Sequence, residues 1–246
     1  IAADKPNLSP FLSTEIIKYN YPGIESPFGY GEVLQTGYVD TALLLDVYHK
    51  YLEQINSIRK ETFDYKAIEI FDDYIQYDNL KAKQIVFAEG FGMHSNPFFN
   101  YLPLDGTKGE LFIIKAPDLK IDVIINTSVF ILPLGNDLFK VGATYNWKDK
   151  TDLPTVEGKQ ELVERIKEII NCDFEIVEHF AGVRPTVNDR RPLLGLHPKH
   201  KNLYVLNGLG TRGVMLAPAM AKDLFDYIEC NKPLDKTIDI KRYNLR

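Results

Sequence analysis

The residues best suited to chemistry lie in one segment near the C-terminal end of the chain, residues 182–229. Within it, the apolar run 203–206 predicts a short strand, a glycine-rich stretch at 208–213 follows, and the run 214–228 predicts an apolar helix. A strand that turns sharply into a helix presents the unpaired N–H groups and the positive dipole end of that helix to a ligand. The segment therefore predicts a ligand-binding turn, although a tight loop that only packs a helix on a sheet would have the same pattern.

Two longer runs in this segment carry a family resemblance. The run AGVRPTVNDRRPLLG at residues 181–195, followed by NLYVLNGLGTRGVMLAP at residues 202–218, resembles the C-terminal signature of the D-amino-acid oxidase superfamily. Within that superfamily it is most similar to the glycine oxidase and sarcosine oxidase branch. Looser likenesses to the same family occur upstream, at residues 37–52, 83–92 and 103–111.

The resemblance implies an α+β (mixed α/β) flavoprotein, with a Rossmann-like domain that binds FAD and an antiparallel-sheet domain that forms the substrate pocket. We assign residues 37–96 and 181–246 to the FAD domain, and residues 1–36 and 97–180 to the substrate domain. The family begins with a strand and a GxGxxG turn, and no such segment precedes Gly37. We therefore expect an incomplete FAD domain, interpret the chain as part of a longer protein, and expect that this fragment alone could lack FAD.

The glycine-rich stretch is expected to line the pyrimidine end of the flavin. There its backbone amides would meet the oxygens on which reduction builds negative charge. Met215 would lie nearby or in the core, and Gly90 would lie near the adenosine half, where glycine allows close backbone approach. The cofactor-binding candidates are Gly90, Gly208, Leu209, Gly210, Thr211, Arg212, Gly213, Val214 and Met215.

Two arginines and one phenylalanine are the substrate-binding candidates. The resemblance implies that Arg184 binds the substrate carboxylate, which suits a planar guanidinium fork, with a salt bridge as the alternative. Arg212 is either a second cation for ring or substrate or a solvent-exposed residue. Phe130 stands where the glycine oxidase branch usually carries a Tyr whose hydroxyl assists carboxylate binding. Lys108 and Glu110 face the ring or water, and we favour water.

Periodic patterns predict the elements that position these residues. Apolar spacing over residues 41–56 predicts a helix with Asp40 as N-cap. Short β-prone runs over residues 61–87 predict successive strands, the last of them buried and parallel. The other predicted elements are an antiparallel sheet over 109–144 with a turn at 135–137, a helix over 156–170, a strand over 173–180 and irregular structure up to residue 32.

The composition narrows the classes of partner. The chain has 29 Lys and Arg against 34 Asp and Glu, a formal net charge of −5, with no basic face for nucleic acid. Cys172 and Cys230 lack CxxC spacing, which favours a reducing, cytoplasmic setting. No apolar run approaches the roughly 20 residues that span a bilayer. The five histidines lack HxH or HxxxH spacing, so we expect no metal.

The preferred function is oxidation of a small amino acid or secondary amine by hydride transfer to flavin N5, which gives an imine. Such chemistry needs no protein nucleophile, because the protein orients the reactants and supplies electrostatics. One alternative is a non-catalytic module that binds a small anion on the same scaffold. Another is a flavoprotein domain that modifies a tRNA base. The oligomeric state is not predicted.

Overall fold

The computed structural model describes residues 10–243, which divide into two compact units. The first comprises residues 10–38 and 108–183, and the second comprises residues 39–107 and 184–243. Helices combine with mainly antiparallel sheets in the two units, which confirms the predicted α+β class. The division of the units into a substrate domain and an FAD domain stays a prediction.

The first unit is built on a five-stranded sheet with the order β11-β7-β10-β9-β8. The strands β7 to β10 pair in antiparallel fashion, as predicted, and the turn at 135–137 joins β9 to β10 with positive φ at all three residues. The strand bounds are β7 Leu104–Lys115, β8 Ile125–Asn126, β9 Phe130–Gly135, β10 Leu138–Gly142 and β11 Glu175–Val187.

One face of this sheet is closed by helix α2, Val156–Lys167. The register pairs Val141 with Phe112 on β7 and with Ile131 on β9, and all three are fully buried. Leu162 and Ile166 of α2 are fully buried in the same cluster, and the helix lies within the predicted range 156–170. Burial of aliphatic and aromatic side chains of this size stabilises the fold by about 1.5–3 kcal/mol each.

The same covered face holds a buried ammonium group, that of Lys108. The expectation that Lys108 and Glu110 face water is wrong, because they are 0% and 3% exposed. Lys108, Glu110 and the buried Phe112 occupy every second position of β7, so all three side chains point towards the face that α2 covers. The loop after β10 folds over Lys108, whose Nζ donates to Asp149 Oδ2 at 2.5 Å, to Thr151 Oγ1 at 3.2 Å and to the Leu153 carbonyl at 2.5 Å.

Glu110 holds the start of α2 through hydrogen bonds. Its carboxylate accepts hydrogen bonds from the backbone N–H and the hydroxyl of Thr155, the N-cap of the helix. The Lys108 ammonium lies 3.7 Å away and His179 Nε2 lies 2.8 Å away. A Cβ at Gly158 would lie only 2.4–2.5 Å from the Glu110 carboxyl atoms. The acid therefore occupies the space that any other residue at position 158 would need.

The hairpin that precedes this sheet in sequence was not predicted. Strands β1, Leu12–Ile17, and β2, Tyr30–Val33, pair in antiparallel fashion where irregular structure was expected. The pattern failed because most of their side chains are exposed and show no apolar alternation. The part of this prediction that concerns residues 1–9 lies outside the described residues.

The second unit contains the sheet that carries the glycine-rich stretch, with the order β12-β13-β6. Strand β6, Ile85–Phe87, runs parallel to β13, Leu203–Asn207, as predicted, and β12, Leu193–Leu196, is antiparallel to β13. The predicted burial of β6 is wrong for Val86, which is 42% exposed. Three short antiparallel strands form a further sheet, and helix α3, Gly213–Cys230, follows β13. The short strands are β3 Ile68–Ile70, β4 Ile75–Tyr77 and β5 Leu80–Ala82.

Helix α1, Thr41–Gln54, has the predicted bounds to within two residues, and Asp40 caps it by accepting from Leu43 N–H at 3.0 Å. None of its residues is buried, and its apolar stripe is exposed, with Leu45 at 68% and Tyr48 at 56%. No described helix is both long and apolar enough to cross a membrane.

We expect Gly158→Ala to destabilise the protein even though Ala favours helices over Gly by about 1 kcal/mol. The new methyl group would displace the hydrogen-bonded Glu110 carboxylate, so we expect a net loss of about 1–3 kcal/mol in the free energy of unfolding by urea. The matched control is Gly182→Ala, because a Cβ at Gly182 meets no atom within 4 Å. Equal stability of the two variants would contradict the packing argument.

The Lys108 contact also predicts an acid-sensitive contribution to stability. The hydrogen bond from Lys108, together with those from Thr151, lowers the pKa of Asp149 to about 2. Because the unfolded carboxyl titrates near ~4, this stabilisation is complete above roughly pH 5 and is lost as the pH falls towards 2. Asp149→Asn should therefore lower the free energy of unfolding at pH 7 and hardly change it at pH 2. Asp152→Asn, at an exposed neighbouring position, is the control and should have little effect on this free energy at either pH.

Candidate functional site

Two glycine turns of the second unit are tied together by one buried amide. Asn207, the last residue of β13, is 3% exposed. Its Nδ2 donates to the Gly90 carbonyl at 2.9 Å, in the turn that follows β6. Its Oδ1 accepts from the Gly208 N–H at 2.8 Å, in the turn that follows β13. The amide therefore holds the ends of two neighbouring parallel strands in a fixed arrangement, and the predicted residues Gly90 and Gly208 lie together.

The backbone of these turns requires glycine. Gly90, Gly208 and Gly210 have φ values of +56°, +70° and +58°, in the left-handed region that other residues rarely adopt. At Gly208 a Cβ would also lie 2.8 Å from Val187 Cγ2 and 3.1 Å from Leu193 Cγ. The GLGTRG stretch has the GxGxxG spacing of a dinucleotide turn. It is followed, however, by α3 and, within the described residues, by no further strand that a βαβ unit would need.

The turn leads directly into the N-terminus of α3. A short 3₁₀ turn, Gly210–Arg212, precedes the helix, and no side chain caps the first helical N–H groups. Four residues at this end are exposed, namely Thr211, Arg212, Val214 and Met215. Met215 is 67% exposed, so its alternative position in the core is wrong. Uncapped N–H groups and the positive dipole end are suited to negatively charged oxygens.

Arg184, the predicted carboxylate-binding residue, is half-buried in β11. Two residues further along this strand, Thr186 forms a hydrogen bond with Thr107 through their hydroxyl groups at 2.9 Å. Thr186 Cγ2 also approaches the position of a Gly210 Cβ at 3.6 Å. Thr186 is thus part of the wall behind the glycine turn, while the role of Arg184 stays a prediction.

The Asp-Arg-Arg-Pro run forms a structural turn. Asp189 accepts hydrogen bonds from the Tyr243 hydroxyl at 2.7 Å and from Arg242 Nε at 3.1 Å. Burial opposes ionisation, but these bonds and the one from the Arg191 N–H outweigh it and lower the pKa of Asp189. Arg242 also donates to the carbonyls of Arg191 and Pro192. Hydrogen bonds to Arg242 and Tyr243 therefore connect this run, which precedes β12, to the C-terminal end of the described chain.

Glu89, beside Gly90, has both carboxylate oxygens engaged. It accepts from the Tyr65 hydroxyl and from Asn96 Nδ2. Burial, followed by the hydrogen bond to Glu89, raises the pKa of Tyr65 to about 12, so the phenol stays protonated as a donor. This arrangement supports the backbone of the first glycine turn.

The first unit carries the remaining candidate, Phe130, on the sheet face opposite α2. We call this face the open face, defined by the cross-strand row Asn126, Phe130, Gly142 and Leu111, in which each residue is paired with the next. A Cβ at Gly142 would meet Leu111 Cβ at 2.9 Å and the Phe130 ring at 3.3 Å. The side chains of Leu111 and Phe130 thus lie close to each other over Gly142, which has no side chain.

The sequence patterns did not identify two notable residues, Asn207 and Lys140. Asn207 directly follows the predicted strand 203–206 and was assigned no role, although a polar residue between an apolar strand and Gly could have drawn attention to it. Lys140 lies on the open face between Leu132 and Ile113, its partners in the register. Its signal was the single charge at an alternating position between Phe139 and Val141, both buried.

Comparison with known proteins identifies the family. The profile for the FAD dependent oxidoreductase family, DAO, matches residues 11–227. The chain belongs to this family. The match covers both units and includes every predicted site residue.

Two curated relatives are moderately similar to this member of the family. The bifunctional protein MnmC of tRNA 5-methylaminomethyl-2-thiouridine biosynthesis, from Marinobacter nauticus, is 29% identical over 171 residues, 63% of this chain and 27% of the relative. Glycine oxidase from Bacillus subtilis is 26% identical over 154 residues, 60% of this chain and 41% of the relative. The matched regions therefore span less than half of either relative.

A solved structure shares the fold. The iminodiacetate oxidase from Chelativorans sp. BNC1 superposes with a TM-score of 0.65 and 22% identity, covering 89% of this chain and 60% of that one. At this identity the likeness supports the fold alone.

We expect Gly208→Ala to disrupt the glycine turn. The left-handed φ disfavours alanine, and its methyl group would lie 2.8 Å from Val187 Cγ2. Both effects destabilise the folded state, so the free energy of unfolding should fall by about 2 kcal/mol or more. Gly92→Ala is the control in the neighbouring turn, because its φ is unrestricted and the nearest atom lies 4.0 Å away. If both variants unfold at the same urea concentration, the turn does not depend on glycine.

Proposed function

We propose that this chain contributes the pyrimidine-side flavin turn and the substrate-facing sheet of an FAD-dependent enzyme. The enzyme would oxidise a small amino acid or secondary amine. The observation that carries the proposal is the uncapped N-terminus of α3, which follows glycines held by Asn207. Backbone N–H groups fixed in this way stabilise negative charge without reorganisation when that charge develops.

The residues present fit a flavin at this turn. The pyrimidine edge carries carbonyl oxygens, and the first backbone N–H groups of α3, which no side chain caps, are donors of the right chemistry. When bound, FAD would supply an acceptor for the hydride that leaves the substrate carbon. Glycines at 208 and 210 keep side chains away from the turn, so a planar ring can approach the backbone closely.

The substrate class follows from the residues proposed to bind it. Arg184 would hold a carboxylate through its guanidinium fork, and the half-buried Phe130 would cover the apolar part of a small molecule. Glycine oxidase and iminodiacetate oxidase, as named, act on small amino acids. The free thiols of Cys172 and Cys230 support a reducing, cytoplasmic setting.

A second candidate function is oxidation of an aminomethyl group on a tRNA base. The similarity to MnmC favours it. The net charge of −5 opposes it, because binding to a phosphate backbone relies on clustered Lys and Arg.

The test uses the protein expressed from its complete gene. We expect it to show a flavin absorbance spectrum, with or without added FAD, and to bleach without oxygen on addition of glycine, sarcosine or iminodiacetate. Arg184→Lys should lower kcat/KM for these carboxylates by roughly 10–100-fold, the loss of a bidentate charged hydrogen bond. Arg190→Lys, an exposed position in the next turn, is the control.

Three results would decide between the candidates. Bleaching by free amino acids supports the proposal. Bleaching only by tRNA that carries an aminomethyl group would replace it with the second candidate. A protein that takes up no flavin and responds to neither would contradict both.

A further inference from the structure

The first unit contains a cavity at the end of its sheet, where β9 turns into β10. Its volume is about 390 Å³, which lies in the range in which proteins bind small molecules. Pro133 and Phe139 line it and are paired across the two strands, and Phe139 is buried in the core that α2 closes. The cavity therefore lies on the covered face of the sheet, whereas Phe130 belongs to the open face.

Two segments of the chain are tied together at this cavity. The Lys120 N–H donates to the Pro22 carbonyl at 3.0 Å. Gly23 lets the two backbones approach, because a Cβ there would lie 3.0 Å from Leu119 Cα and its φ is +86°. The walls are thus held in place by backbone contacts, and such preorganisation lowers the entropic cost of binding a ligand.

Tyrosine rings form one wall of the cavity. Tyr19 and Tyr21 both line it, and their rings meet edge to face with centroids 4.6 Å apart. The ring of Tyr30 meets that of Tyr21 in the same way at 5.4 Å, and Tyr21 and Tyr30 pack against the core. Tyr19 is 57% exposed, so packing of the core does not account for its ring. The faces of aromatic rings carry partial negative charge and attract cations.

The charged residues of the lining leave one carboxylate without a counter-ion. One lysine and two aspartates give the lining a net charge of −1, and Lys120 pairs with Asp137 at 3.2 Å. Among residues 10–243 the remaining carboxylate, that of Asp122, has no hydrogen bond or ion pair. Burial, followed by the charge of Asp122, raises the pKa of Tyr21, so this phenol stays uncharged at neutral pH.

These features together select one class of ligand. The carboxylate of Asp122 would repel an anion. A divalent metal ion requires several oxygen ligands, and only one carboxylate here is free of a counter-ion. An organic ammonium ion can place its methyl or methylene groups on the tyrosine rings and the aliphatic floor while its charge faces Asp122.

We propose that this cavity binds a small organic ammonium ion between the rings of Tyr19 and Tyr21 and the carboxylate of Asp122. The site is additional to the one proposed for the oxidised substrate, because it lies on the face of the sheet opposite Phe130. The inference does not depend on the proposed oxidation, since every residue that carries it belongs to this cavity of the first unit.

The test uses choline as the probe, titrated by calorimetry into the protein expressed from its complete gene. A Kd in the millimolar range is expected for so small a ligand. The uncharged isostere, in which a tert-butyl group replaces the trimethylammonium group, has the same shape and should bind about tenfold more weakly.

Asp122→Asn should raise the Kd for choline about tenfold, because the counter-charge of the ammonium group is lost. Asp152→Asn is the matched control, since it removes the same charge from an exposed position of the same unit outside the cavity. This control should leave the Kd unchanged. Asp122 is itself exposed, so its substitution should not impair folding.

Tyr19→Leu should raise the Kd for choline about two- to fivefold, the size of a cation–π contact at an exposed site. Tyr19→Phe keeps the ring and should leave the Kd unchanged. The inference is overturned by any of three results, namely no choline binding to the wild-type protein, equal affinity for the uncharged isostere, or a Kd that Asp122→Asn does not alter. Equal losses in Tyr19→Leu and Tyr19→Phe would overturn the proposed contact with the ring.

Discussion

The buried ammonium of Lys108 is the constraint on which the first unit depends. A lysine with no exposed surface is tolerated only where acceptors surround it. Asp149, Thr151, the Leu153 carbonyl and the nearby Glu110 meet that need. Removal of Asp149 would leave the buried Lys108 ammonium without its nearest counter-charge. The loop after β10 therefore has little freedom to adopt another course.

Through Glu110 the same constraint extends to α2. The carboxylate binds the N-cap residue Thr155, and Gly158 makes room for it. The helix then closes one face of the sheet with Leu162 and Ile166. The polar cluster around Lys108 and Glu110 thus determines where α2 packs on the sheet.

The local sequence pattern was sufficient to predict much of the architecture. Helices α1 and α2, the antiparallel block, the parallel strand β6 and the strand-turn-helix around Gly208 all follow from periodicity and turn residues within a short window. The burial of Lys108 and Glu110 could not be predicted in this way, because the groups that compensate them lie some forty residues later in a loop of no regular pattern. The bond from Asn207 to Gly90 joins residues 117 positions apart, and only the parallel pairing of β6 and β13 makes it possible. The roles assigned to Arg184, Arg212 and Phe130 derive from family resemblance, and no local pattern could have supplied them.

The exposed stripe of α1 has a consequence for local unfolding. A helix of 14 residues that buries none of them relies on its Asp40 cap and on pairs such as Lys50 with Asp46. Isolated helices of about 12–15 residues are marginal in water, and such pairs add only about 0.2–0.5 kcal/mol each. In this chain the amides of α1 should therefore exchange with solvent long before those of β13. A protease would find its first sites here, while the core of the second unit stays folded.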